Sequence, residues 1–270
     1  MSIPLKYKYK KKGGTIMEIV LKASNLKKQY GTRGIMCNAL DGIDLEVKKG
    51  EFLGIMGPSG AGKTTLLNVL STIDVPTAGE VYYEDKSIVN MKNKELSKFR
   101  RDNIGFIFQD YNLLDSMTIE DNIALPLALS KMNSDEIEKK VKSLSEFFGI
   151  EKQLKKYPYE LSGGQKQRVA ATRALITSPS VIFADEPTGA LDSKSASELM
   201  ACLSKMNEEF KTTIIMVTHD SFCASYSKRI LFIKDGKIHA NLDRGNSRKE
   251  FFNRIMNLLS SMGGDISELF

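Results

Sequence analysis

Five short apolar runs punctuate the chain. They are Phe52-Leu53-Gly54-Ile55-Met56, Ile104-Gly105-Phe106-Ile107-Phe108, Val181-Ile182-Phe183-Ala184, Thr213 to Val217, and Ile230 to Ile233. Runs this short and this apolar predict strands buried on both faces, as in a parallel sheet. Other stretches repeat with the helical period. Leu66, Leu67, Leu70 and Ile73 share one face, and so do Ile137, Val141, Leu144 and Phe148, before Gly149. Asn133 and Glu136 read as a cap pair for the second of these helices. Ser195 and Glu198 read as a capping box for a helix that turns Leu199, Leu203, Met206 and Phe210 inward. Ser247 and Glu250 open a last amphipathic helix, about residues 247–261, carrying Phe251, Ile255, Leu258 and Leu259.

Three further strands have a different pattern. Ile43-Asp44-Leu45-Glu46-Val47 alternates cleanly, Glu18 to Ala23 alternates as an edge strand would, and Val81-Tyr82-Tyr83 follows Ala78-Gly79. Asp235-Gly236 marks a hairpin. From about Asp110 to Tyr159 strand patterns give way to helical ones. The expected fold is therefore α/β. It has a mostly parallel core sheet, a flanking antiparallel layer, and a helical lobe inserted at about residues 95–165.

Composition narrows the classes. The chain has 270 residues, with 41% hydrophobic and 27% charged. Those are the proportions of a soluble globular protein, large enough for one α/β domain with an insertion. No apolar run approaches the roughly eighteen residues of a membrane helix, and no signal peptide is evident, which points to the cytoplasm. Cys37, Cys202 and Cys223 are odd in number and widely spaced. They predict neither a zinc site nor a disulfide framework, but reduced thiols, mostly buried. The net charge is +6. Lys6, Lys8, Lys10, Lys11 and Lys12 interleave with Tyr7 and Tyr9, a mixture that can bind nucleic acid or an anionic membrane. The simpler reading is a solvated, disordered tail over residues 1–16, with the domain proper spanning 17–270 and no nucleic-acid partner.

The stretch Gly57-Pro58-Ser59-Gly60-Ala61-Gly62-Lys63-Thr64-Thr65 matches the phosphate-loop pattern G-x-x-x-x-G-K-[ST]. A buried strand precedes it and a helix follows, so unpaired helical amides and the positive helix end face one point. Lys63 is expected to reach the β- and γ-phosphates of a nucleoside triphosphate, and Thr64 to ligate Mg²⁺. Asp185 and Glu186 close the Val181 strand, at the sheet edge where α/β folds bind ligands. Asp185 suits Mg²⁺, directly or through water, and Glu186 suits a general base acting on water. Leu161-Ser162-Gly163-Gly164-Gln165 stands before a helix running from Gln165 to about Ile176, which makes a second anion site. One nucleotide uses both sites only if the two face each other.

A phosphate loop, this pentapeptide and an acidic strand end together resemble the ABC-transporter ATPases over essentially all of Met17 to Ile238. The resemblance implies further roles. Tyr30 matches the aromatic that stacks on adenine. Gln109 matches the glutamine that contacts Mg²⁺ and water and senses the membrane partner. Asp192, in Gly189-Ala190-Leu191-Asp192, matches the loop linking two sites across a dimer, although the family more often has serine at the position of Gly189. His219, in Thr218-His219-Asp220, matches the switch that binds the γ-phosphate; His239 has no such match. The stretches Phe108 to Thr118 and Asn122 to Leu127 are similar to the group of lipoprotein-releasing and macrolide-exporting ATPases. Ser261-Met262-Gly263-Gly264-Asp265 after the last helix is similar to Bce-type ATPases of antimicrobial-peptide resistance.

What the resemblance implies is an ATP-hydrolysing subunit, with ATP and Mg²⁺, that powers a separate integral membrane permease. It would act as a homodimer of ATPase subunits, peripheral at the cytoplasmic face of the membrane. A cell-division ATPase of the same architecture is the alternative. A chromosome-structure ATPase would need sustained heptads between phosphate loop and pentapeptide, where only about a hundred residues lie without them. A translation-factor ATPase would normally carry two such domains.

Overall fold

A computed structural model of the chain describes residues 18–32 and 35–262. The basic tail lies outside the described residues, as do Gly263 to Asp265.

Two sheets organise the chain. The N-terminal strands are β1 (Ile19–Thr32), β2 (Ile35–Lys48) and β3 (Phe52–Met56). Helix α1 (Lys63–Leu70), strands β4 (Ala78–Tyr83) and β5 (Lys86–Ser87), helix α2 (Asn93–Asn103) and strand β6 (Ile104–Ile107) follow. Helices α3 (Ile119–Leu129), α4 (Ser134–Phe147) and α5 (Gly163–Leu175) come between β6 and β7 (Val181–Asp185). The chain then runs through α6 (Ser193–Phe210), β8 (Thr213–Val217), α7 (Ser221–Ala224), β9 (Arg229–Lys234), β10 (Lys237–Asp243) and α8 (Arg248–Ser261). One sheet has the order β10-β9-β3-β8-β7-β6; only β10, the hairpin partner of β9, is antiparallel in it. The other, β2-β1-β4-β5, is antiparallel throughout.

Alternation along the parallel strands divides the core. Leu53, Ile55, Phe183, Ile215 and Val217 pack toward α1 and the antiparallel sheet, with Leu66, Leu70, Val20 and Leu40. Phe52, Ile182, Ile214 and Met216 face the other way, toward Val169 of α5, Leu199 and Leu203 of α6, and Ile123 of α3. Each fully buried side chain of this kind is worth about 1.5–3 kcal/mol, so both sheet faces are strongly specified. A third cluster seats Phe251 and Ile255 of α8 on Ile230 and Phe232.

Several expectations are corrected. The strand beginning near Glu18 is not at an edge: β1 pairs with β2 on one side and β4 on the other. Period-two patterning reports a buried face, not hydrogen-bonding neighbours. The alternation stops near Ala23 because Asn25 takes a left-handed φ of 47° and the register shifts there. The strand itself continues through Tyr30. Ile73 is not on α1, which ends at Leu70; Ile73 is 47% exposed. The cap of α6 is Asp192, whose carboxylate accepts from the amides of Lys194 and Ser195 at 3.0 and 2.9 Å. Ser195 therefore lies inside the helix. Phe210 is 46% exposed in the last turn, its ring edge-on to Phe147. Asn133 does cap α4, but it bonds the amide of Asp135. Of the cysteines only Cys223 is buried; Cys202 is intermediate and Cys37 exposed, all three free. Among the described residues no helix is long and apolar enough to cross a membrane.

Candidate functional site

Four neighbouring strands end side by side. Ile55 of β3 pairs with Val217 of β8, Val217 with Asp185 of β7, and Ala184 with Ile107 of β6. The segments that leave this common edge carry Gly57 to Thr65, His219, Asp185-Glu186 and Gln109. Residues from four distant parts of the chain are thus gathered by parallel register alone. Two backbone bonds continue the alignment past the strand ends: the Thr218 amide to the Ile55 carbonyl at 3.1 Å, and the Glu186 amide to the Val217 carbonyl at 3.0 Å.

The loop from Gly57 to Gly62 is a backbone cradle. A Cβ on Gly57 would lie 2.1 Å from the Ile233 carbonyl oxygen, and one on Gly62 would lie 2.2 Å from that of Ala39. Neither position tolerates a side chain, and both have positive φ. Pro58, Ser59 and Gly60 are exposed, while Ala61 and Lys63 are buried. The Lys63 ammonium donates to the carbonyls of Gly57 and Pro58 at 2.8 and 2.9 Å, lying back along the loop. Burial lowers its pKa, against the attraction of Glu186 and Asp185. A partly desolvated cation beside free helix amides favours an incoming polyanion. Thr64 and Thr65 open α1 on its outer side.

Asp185 is half-buried, and its Oδ1 atom is buried with no partner. Burial raises its pKa, Glu186 adds to the rise, and Lys63 and a hydrogen bond with Thr64 oppose it. An orphaned carboxylate oxygen beside a threonine hydroxyl is a fitting donor set for a hard cation such as Mg²⁺. Glu186 takes a left-handed φ of 47° and aims its carboxylate at His219. The two side chains meet at 2.5 Å, His219 Nδ1 to Glu186 Oε2. Gln109 is exposed, and its amide lies against Gly189, where a Cβ would be 3.0 Å from it.

Ser162 caps α5 in a reciprocal box. Its hydroxyl accepts from the Gln165 amide, and the Gln165 side chain accepts from the Ser162 amide at 3.0 Å. Leu161 is buried beneath the cap. Gly163 and Gly164 lie beside Tyr111, Leu191 and Ser195, next to the Asp192 that caps α6. The glycines of the phosphate loop border Ala39, Leu40 and Ile233 instead.

Tyr30 is 43% exposed, and its hydroxyl donates to Asp74 at 2.7 Å. Asp74 belongs to no motif in the sequence. Nor does Gln167, which is fully buried and donates to the carbonyls of Phe108 and Pro187 at 3.1 and 2.5 Å. Those carbonyls flank Gln109 and Glu186. The available signal was a glutamine on the same α5 stripe as Gly164, Ala171 and Ala174, a polar residue where helical periodicity expects an apolar one.

Comparison with known proteins agrees with this geometry. Residues 40–189 match the family model described as ABC transporter. The chain is 51% identical over 246 residues to the bacitracin export ATP-binding protein BceA of Halalkalibacterium halodurans, covering 91% of this chain and 97% of that one. It is likewise 51% identical to the uncharacterized ABC transporter ATP-binding protein YvcR of Bacillus subtilis, across 92% and 97% of the two chains. Among solved structures it is similar to the ATP-binding cassette MJ0796 in a dimeric post-hydrolysis state bound to ADP and Pi. The TM-score is 0.77 at 40% identity, covering 84% of this chain and 100% of that one. Matches of this extent carry the family's fold, its substrate ATP and its Mg²⁺. The chain belongs to the ABC transporter family, as an ATP-binding subunit that hydrolyses ATP.

Proposed function

We propose that this subunit drives a separate membrane permease that handles an antimicrobial peptide, and that it works as a head-to-tail pair of copies at the cytoplasmic face of the membrane. The observation that carries the pairing is the separation of the two anion cradles. The glycines at the capped N-terminus of α5 and those of the phosphate loop border different residues of the chain, which supports a second copy bringing the two together. The identity with a bacitracin export subunit across nearly the whole of both chains supports the peptide reading.

In this reading Tyr30 stacks on adenine. The amides from Gly57 to Thr65 wrap the phosphates, and Lys63 leaves its two carbonyls to meet the β- and γ-oxygens. Thr64, Asp185 and Gln109 would hold Mg²⁺, which offsets phosphate charge when bound. Glu186 takes a proton from the attacking water, and His219 donates to the γ-phosphate. Ser162 of the partner subunit, with the glycine amides that follow it, completes the phosphate shell. Gln109 and the helices between β6 and β7, taken as a lobe, pass the closing movement to the permease.

The test is to purify the tagged chain from detergent-solubilised membranes, identify what accompanies it, and assay ATP hydrolysis with peptide antibiotics. A copurifying multispan permease and hydrolysis stimulated by such a peptide are expected. A partner from the division machinery, with hydrolysis indifferent to peptides, would overturn the reading.

A further inference from the structure

Tyr30 bonds Thr65 of the phosphate loop, and it is also held by residues outside that loop. Its hydroxyl donates to Asp74 Oδ2 at 2.7 Å, and the Lys28 ammonium donates to Asp74 Oδ1, also at 2.7 Å. Lys28 donates as well to the carbonyl of Val75 and sits 4.9 Å from the centroid of the Tyr30 ring. The two segments are joined beside it: the Gln29 amide donates to the Thr77 hydroxyl at 3.0 Å, and the Thr77 amide to the Lys27 carbonyl at 2.8 Å. The strand bearing Tyr30 is thereby tied to the segment that leaves α1, the helix whose N-terminus opens at the phosphate loop. One face of the ring is occupied by a cation; the remainder of a 43% exposed residue stays open. Burial opposes ionisation of Asp74, yet the bonds from Lys28 and Tyr30 outweigh it and hold its carboxyl below the usual range. Asp74 is therefore a charged acceptor shared by two donors.

We propose that Asp74 and Lys28 are positioning residues for nucleotide binding, which fix the Tyr30 ring at a set distance from the phosphate loop and leave one face of it for the purine. The proposal rests on the stacking role assigned to Tyr30. An exposed tyrosine turns freely among its side-chain rotamers, and holding it in advance reduces the ordering cost that binding would otherwise bear. A charge-assisted bond at each end of the carboxylate suits that role.

The test measures binding of ADP and of inorganic pyrophosphate by calorimetry, for the intact chain and for Asp74→Ala, Tyr30→Phe, Tyr30→Ala and the Asp74→Ala/Tyr30→Ala double variant. Stacking on an aromatic contributes to the affinity for a base, and loss of its positioning should forfeit part of that contribution. Asp74→Ala is expected to raise the ADP Kd about three- to tenfold and leave pyrophosphate unchanged, with the KM for ATP rising while kcat falls less than about twofold. In the Tyr30→Ala background Asp74→Ala should add nothing. If Asp74→Ala fails to fold, Tyr30→Phe breaks the same bond from the other end and should weaken ADP by a smaller factor, under about fivefold. Weakening by Tyr30→Ala but not by Asp74→Ala would overturn the positioning proposal and leave stacking intact. Additive losses in the double variant would also overturn it. No loss with Tyr30→Ala would overturn the stacking role itself.

Discussion

His219 Nδ1 lies 2.5 Å from Glu186 Oε2, so the side chain suited to sense the γ-phosphate and the side chain suited to activate water hold one another. They follow the ends of adjacent strands, and the bond between the Glu186 amide and the Val217 carbonyl fixes the spacing of those ends. Neither residue is placed by its own local sequence. The register of β7 against β8 brings them into contact.

This pair leads to a test of chemistry against assembly. Removing a general base typically costs about 10²–10⁴ in rate. Glu186→Gln should therefore bind ATP, hydrolyse it slowly and accumulate as an ATP-dependent dimer on size-exclusion chromatography. Adding Ser162→Arg places a bulky cation at the exposed cap of α5 and should abolish that dimer, while ATP binding to the monomer remains. A double variant that still dimerises with ATP would refute the composite site.

Lys63 gives a second expectation. It alone among the loop side chains can neutralise phosphates, and it also bridges two loop carbonyls. Lys63→Ala should abolish hydrolysis and weaken nucleotide binding. Normal turnover by the purified variant would contradict the assignment of this loop.

The Asp185 carboxyl predicts a pH dependence. Its pKa is raised in the fold by burial and by Glu186. A raised acid favours the folded state at low pH, and that contribution is lost as pH rises through the raised value. Replacing the carboxylate by a neutral amide removes this loss. Without nucleotide or Mg²⁺, Asp185→Asn should melt a few degrees above the parent at neutral pH, and the gap should close near pH 4, where an unperturbed Asp is also about half protonated. With Mg²⁺ and ATP the order should reverse. A variant less stable than its parent at neutral pH without ligands would show that burial does not dominate at Asp185.

Gln167 carries the fourth expectation. Gln167→Met retains the shape and removes both donors, which strands the carbonyl of Pro187 and leaves that of Phe108 with the Tyr111 amide at 3.2 Å. A buried unsatisfied group costs about 1–3 kcal/mol. For a chain of this size each kcal/mol lowers Tm by about 2–4 °C. The variant should melt lower and lose kcat more than ATP affinity, because the displaced backbones flank Gln109 and Glu186 and not the phosphate loop. Unchanged kcat in a folded variant would limit Gln167 to packing.

Much of the site could be read from the sequence. Gly57 to Thr65, Asp185-Glu186 and Leu161 to Gln165 are local signals, since a backbone cradle, an acidic strand end and a helix cap each form from consecutive residues. The buried strands were legible for a related reason: short apolar runs have one stable solution, a sheet covered on both faces. What consecutive residues do not contain is who lies beside whom. The Asp192 cap of α6 is local, its carboxylate accepting from the amides of Lys194 and Ser195, but the interior place of β1 and the setting of Phe210 against Phe147 depended on neighbours distant in sequence. Asp74 beneath Tyr30, Gln167 between two strand ends, and Glu186 against His219 are likewise contacts across 44, 20 and roughly 30 residues of chain. Local patterning selects elements through backbone geometry and burial, and so it sets which residues can do chemistry. Their distances from one another come from strand order and register, which only the packing of the whole sheet decides.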